Sequence, residues 1–152
     1  MMLSKNLSLV EATKSATAIK HGIANDPTPE HLQNLKDLAE NVFQPIRDYF
    51  GVPLAVSSGY RSEALNQRIG GSKSSQHMQG KAFDLDAHIF GKITNKEIFD
   101  YIKDNLDFDQ LIFEFGTDEE PDWVHVSYDK GNNRGQILKA FRAKGKTVYQ
   151  IY

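Results

Sequence analysis

Cysteine is missing from all 152 residues. No disulfide framework, thiolate metal site or cysteine nucleophile is therefore possible, and any metal must sit on His, Asp or Glu. The lack of thiols leaves the chain able to work in either redox compartment. Long apolar runs are also missing. Lys5, Glu11, Lys14 and Lys20 interrupt the N-terminal stretch, which lacks the apolar centre of a secretory signal. Nothing further on is apolar enough for a membrane span. Synthesis in the cytoplasm without a signal peptide, and no membrane insertion, are the expectations. There is no excess of basic charge either. A net charge of -2 argues against a nucleic-acid partner, which needs a basic face to displace counterions from phosphates. No repeat, low-complexity tract or linker divides the chain. Its length fits one domain, 1–152, able to bury a core unaided.

What is present reads as helices first and strands after. Ser8 and Glu11 form a capping-box pattern, and Gly22 stands where a helix C-terminal glycine would, predicting a helix over 8–22. Asn25, Asp26 and Pro27 make a turn. Thr28 then caps a helix with Pro29 at its first position. Leu32, Leu35, Leu38, Ala39, Val42, Phe43, Ile46 and Phe50 recur at helical spacing and predict one buried face. Pro45 should kink or interrupt that helix, and Gly51 should end it. Beyond it, short strands are expected over 53–58, 81–87, 111–115, 123–128, 137–141 and 147–152. A short helix is expected over 63–69, a loop over 70–76, and a second capping box (Thr94, Glu97) opens a helix to about Asn105. Gly145 suits a hairpin between the last two strands. The class is α+β, with a helical part (1–51) packed on a mainly antiparallel sheet in a second part (52–152).

Of the five histidines, two have suitable company. His77 lies in a loop and is followed seven residues later by Asp84 in a strand. The small residues Gly80 and Ala82 between them let the backbone pass close to an ion. His125 sits in the strand Trp123-Val124-His125-Val126-Ser127, where alternation puts Trp123, His125 and Ser127 on one face. Two imidazoles and one carboxylate, with a fourth position open, are the donor set of a catalytic zinc. A loop and a strand histidine satisfied by ordinary hydrogen bonds would give the same spacing.

Ser75-x-His77-x-x-Gly80-x-Ala82-x-Asp84, followed by Trp123-x-His125, resembles the signature of the zinc D-Ala-D-Ala carboxypeptidases and of the phage L-alanyl-D-glutamate endolysins. These are metallopeptidases of the Hedgehog/DD-peptidase-like fold. Ser58-Gly59-Tyr60-Arg61-Ser62, Leu65-Asn66 and Gly70-Gly71 extend the resemblance over 53–128, and the N-terminal helices are similar to the phage-type, stand-alone branch. The resemblance implies one zinc ion per chain on His77, Asp84 and His125. It implies Asp122, three residues before His125, as the catalytic carboxylate. Arg61 would bind substrate and polarise its carbonyl, and Ser75 would contact substrate backbone. Tyr60 and Trp123 flank these motifs as candidate cleft walls, Tyr60 as a substrate contact.

The implied function is hydrolysis of a peptide bond in bacterial peptidoglycan, in a stem peptide or cross-link, by a carboxypeptidase or endopeptidase acting as a monomer. Action on the cell wall would follow release from the cytoplasm, as for a phage endolysin, or delivery within a virion. The alternative is a non-catalytic zinc-containing module of the same fold, wall-binding or structural in a phage. Other carboxylates compete with Asp122 for the role of base. Glu114 has the strand parity to face the metal side, while Glu119 and Glu120 lie on the loop before Asp122. Asp86 reads as a structural neighbour of the ligands, and His88 as a loop residue.

Overall fold

The computed structural model describes residues 1–152. The chain opens with a small hairpin, β1 (Met2–Ser4) and β2 (Leu7–Ser8), that hydropathy does not announce. Gln44 fastens it, its side-chain carbonyl accepting from the Ser4 hydroxyl and the Asn6 amide. The Ser8 capping box is present, but its helix α1 stops at once (Leu9–Thr13), and α2 (Ala16–His21) restarts after an extended Lys14. This corrects the single helix expected over 8–22. Two distant groups use the carbonyls at the end of α1: the Tyr60 amide donates to Ala12 and the Asn25 side chain to Thr13. Ser15 caps the restart, and Gly22, at φ 62, closes it.

Thr28 and Pro29 begin α3 (Pro29–Leu38), and α4 (Gln44–Phe50) ends at a left-handed Gly51. Between them lies a π-helical turn, Ala39–Phe43. A proline ring collides with the carbonyl four residues earlier, which for Pro45 belongs to Asn41, inside that turn. The interruption expected at Pro45 thus takes the form of a widened turn, a familiar accommodation.

The remaining elements are β3 (Ala55–Ser58), α5 (Glu63–Arg68), β4 (Ala82–Asp86), α6 (Asn95–Asn105), β5 (Gln110–Glu114), β6 (Trp123–Ser127), β7 (Gln136–Ala143) and β8 (Lys146–Ile151). The Thr94 capping box starts α6 as its sequence dictates. Six strands form one sheet in the order β3-β4-β6-β5-β7-β8. All neighbours are antiparallel except β5 and β7, which run parallel. Lys144 and Gly145, both at positive φ, turn β7 into β8, as a tight hairpin of primed type requires.

The two faces of the sheet differ. Phe83, Leu85, Leu111, Phe113, Val124 and Val126 point one way and share a single buried cluster with Leu35, Leu38, Phe43, Ile46, Ile98, Phe99 and Ile102 of the helices. Each such side chain contributes roughly 1.5–3 kcal/mol by leaving water. Alternation sends Asp84, Ile112, Glu114, Trp123 and His125 to the opposite face. That face carries the polar site.

Candidate active site

Cross-strand register builds the centre of the site. Asp84 on β4 pairs directly with His125 on β6, which brings their side chains together on one face. His77 approaches from a short 3-10 turn, Gln76–Gln79, whose first turn is capped by the Ser75 hydroxyl. Gly80 then takes φ 73, and a Cβ there would sit 2.5 Å from the His31 carbonyl oxygen, so glycine is required for the chain to pass helix α3. His77 Nε2 lies 3.4 Å from Asp84 Oδ1, and His125 Nδ1 lies 3.1 Å from the same oxygen. One ligand atom from each residue falls within 4.8 Å of the other two.

The surroundings suit a cation. His77 Nδ1 is 2.8 Å from the Gly59 carbonyl oxygen. Donation there fixes the tautomer and leaves Nε2 with its lone pair facing Asp84, the arrangement that orients a metal-ligating imidazole. Burial lowers the His77 pKa, keeping the ring neutral, as a ligand must be. For Asp84, burial works to raise the pKa, but His77 and His125 in their protonated forms outweigh it by charge and hydrogen bonding and hold the carboxyl well below the usual range; a cation between the three would take over that role from neutral rings. A neutral buried imidazole, a second imidazole and an ionised carboxylate form a fitting set for zinc.

A cleft of about 760 Å³ spreads from this centre. Arg61 lies at its edge, with Nη2 3.5 Å from Asp84 Oδ2. The guanidinium is aimed by Ser58, which accepts from Nε, and by the buried Asn66, which accepts from Nη1. Burial lowers the Arg61 pKa, and Asp84 and Glu114 push it back up; an arginine so placed stays cationic. Ser75 also lines the cleft.

The carboxylates sort themselves plainly. Glu114 is 7 % exposed and lines the cleft. Its pKa is pushed up to about 7, first by burial and then by the charge of Asp84, against the opposing pull of His125 and Arg61. Asp122, expected as the catalytic carboxylate, is exposed and does not line the cleft. It lies just before the first residue of β6, where its backbone is tied to the neighbouring elements. Its amide donates to the Glu114 carbonyl and its own carbonyl accepts from Asn95. Glu120 accepts from the Asn95 and Lys96 amides and pairs with His88, serving the N-terminus of α6. Glu119 is an exposed loop residue. Asp86 receives hydrogen bonds from the His88 amide and Asn95, a structural role.

Tyr60, expected as a substrate contact, is displaced too. It is buried, its hydroxyl sits 3.2 Å from His31 Nδ1, and it borders a neighbouring pocket. Its ring serves the core cluster. Trp123 does line the cleft, edge-on to Phe115 at 5.3 Å between ring centres. Phe115 holds φ 56, a left-handed conformation that costs a side-chain-bearing residue roughly 1–2 kcal/mol. The strain falls on the residue next to Glu114.

Sequence reasoning passed over several contributors. Gly59 supplies a carbonyl that no side-chain pattern reveals. Asp109, buried beneath the rim, accepts from Gln76 and from the backbone and guanidinium of Arg134, fastening the turn that carries His77 to the start of β7. A family model described as Peptidase M15 matches residues 5–127. No curated protein matches the chain.

Proposed function

Because the chain belongs to the peptidase M15 family, we propose that it hydrolyses a peptide bond in bacterial peptidoglycan, one involving a D-residue of a stem peptide or cross-link. Peptidases of this family depend on zinc, and His77, Asp84 and His125 would hold one ion per chain. The observation that carries the reading is their convergence within 4.8 Å beside a buried glutamate of raised pKa.

When bound, zinc supplies Lewis acidity and a water acidified toward neutral pH. Glu114 does the proton work. Its carboxyl is buried at the cleft, with a pKa raised by that burial in the metal-free protein, the kind of environment that suits a carboxyl to serve as both general base and general acid. It takes the proton of the attacking water as the new C–O bond forms. It returns that proton to the amide nitrogen as the C–N bond breaks. Arg61, held by Ser58 and Asn66, offers a fixed donor to the carbonyl oxygen as negative charge develops there. Ser75 remains the candidate contact for substrate backbone. Phe115 and Trp123 exclude water from one flank.

The test is digestion of isolated peptidoglycan by zinc-loaded wild type and by His77→Ala, with the fragments weighed. Fragments released by wild type alone support the reading, and their masses separate carboxypeptidase from endopeptidase action. Stoichiometric zinc with no cleavage of any wall type would replace it with the non-catalytic module.

A further inference from the structure

The family match ends at residue 127, yet the chain continues through β7 and β8. This hairpin forms one side of the cleft, with Leu138 and Tyr149 among the lining residues. Register explains how. Glu114 pairs with Ala140 across β5 and β7, and Ala140 pairs with Tyr149 across β7 and β8. Paired residues point to the same face, so the three make a row on the cleft side. The middle member is the smallest. Ala140 is 0 % exposed although its row faces the cleft, so longer neighbours close over it. Glu114 and Tyr149 stand two strand spacings apart, roughly 10 Å at the backbone, a gap that side chains leaning over a methyl group narrow. The Tyr149 phenol senses the site: burial first, then the charges of Glu114 and Asp84, raise its pKa, and no hydrogen bond contributes. The residue is still 55 % exposed. A protonated hydroxyl without a partner therefore borders the cleft on the side away from Arg61.

We propose that Tyr149 is a substrate-binding residue whose hydroxyl donates to the carbonyl or carboxylate oxygen of the leaving-group residue. The proposal rests on the peptidase reading above. Glu114 delivers its proton to the leaving nitrogen, so that nitrogen lies beside Glu114. The next acceptor along the leaving residue is the oxygen on its own carbonyl carbon, and a leaving residue laid along the Glu114–Ala140–Tyr149 row would bring that oxygen toward the Tyr149 hydroxyl. A C-terminal leaving residue presents a carboxylate there, and an internal one presents an amide carbonyl. The C-terminal hairpin, outside the family match, thereby selects how the leaving residue is held.

The experiment compares zinc-loaded wild type and Tyr149→Phe on a synthetic stem pentapeptide ending in D-Ala-D-Ala and on purified cross-linked muropeptides. Zinc content and thermal midpoint are measured on the same samples. Loss of one such hydrogen bond should lower kcat/KM about tenfold on the substrate that wild type cleaves, with zinc content and midpoint unchanged. Activity within twofold of wild type overturns the proposal and leaves the peptidase reading standing. A loss accompanied by lower zinc content or a lower midpoint overturns it as well, since Tyr149 would then be structural. A wild type that cleaves neither probe nor isolated peptidoglycan overturns the peptidase reading itself, and the proposal with it.

Discussion

Glu114→Gln should damage catalysis and stabilise the fold. The substitution keeps the shape of the side chain and removes its charge. Only burial and nearby charges act on Glu114, and no hydrogen bond does, so glutamine loses no partner. The folded-state pKa of about 7 against 4.5 means that the folded chain binds this proton more tightly than the unfolded one. Stability therefore falls as pH rises from 4.5 to about 7, and the whole penalty is present above that window. The rise corresponds to about 3 kcal/mol. In metal-free protein, Glu114→Gln should match wild type at pH 4 and exceed it by up to about 3 kcal/mol at pH 8. For a chain of this size that raises the thermal midpoint by on the order of 10 °C. The zinc-loaded variant should lose roughly 10²- to 10⁴-fold in kcat, the usual worth of a general acid–base group. The assays are thermal melts at the two pH values and steady-state hydrolysis of muropeptides. A variant no more stable than wild type at pH 8 would refute the burial argument. A variant within a few-fold of wild-type kcat would refute the assignment of the base.

Asp122→Asn should leave kcat within about threefold of wild type, since surface changes away from the reacting groups cost little; a loss matching that of Glu114→Gln would return the base to Asp122. Arg61→Lys should lower kcat/KM roughly 10²-fold in the same hydrolysis assay, because an ammonium cannot reach Ser58, Asn66 and the substrate together. Gly59→Ala places a Cβ 2.1 Å from the Ala12 carbonyl oxygen; urea denaturation should show a loss of roughly 1–3 kcal/mol, and zinc titration a weaker site, because the Gly59 carbonyl orients His77. Asp109 is held at a pKa of about 2, chiefly by hydrogen bonds from Arg134. Its stabilisation is present above the ordinary value of 3.8 and lost as pH falls through about 2, so Asp109→Asn should cost about 2 kcal/mol at pH 7 and nothing near pH 1, as read by denaturation at both.

Local chemistry made much of the fold legible in advance. The capping boxes at Ser8 and Thr94, the left-handed Gly22 and Gly51, and the Gly145 hairpin depend on neighbours a few residues away, which a sequence displays. Contacts between distant segments stayed hidden. The break after Thr13 follows from hydrogen bonds to Tyr60 and Asn25, and the burial of Tyr60 follows from its place beside His31. The parallel pairing of β5 with β7 leaves no periodicity to read. At the site, alternation alone placed Trp123 and His125 on one face and gave Glu114 the parity to join them. Asp122, placed by its spacing from His125, lies outside the strand and is exposed away from the cleft lining, a position that spacing along the chain does not reveal. The Asp109–Arg134 clamp and the Tyr149 row join residues across different strands, which only the register reveals.

The most direct test is crystallographic: anomalous diffraction recorded on both sides of the zinc absorption edge, from crystals grown with zinc. One site per chain is expected, coordinated by His77 Nε2, a carboxylate oxygen of Asp84 and His125 Nδ1. Zinc absent from that position, or bound only elsewhere, for example between His88 and Glu120, would contradict the account.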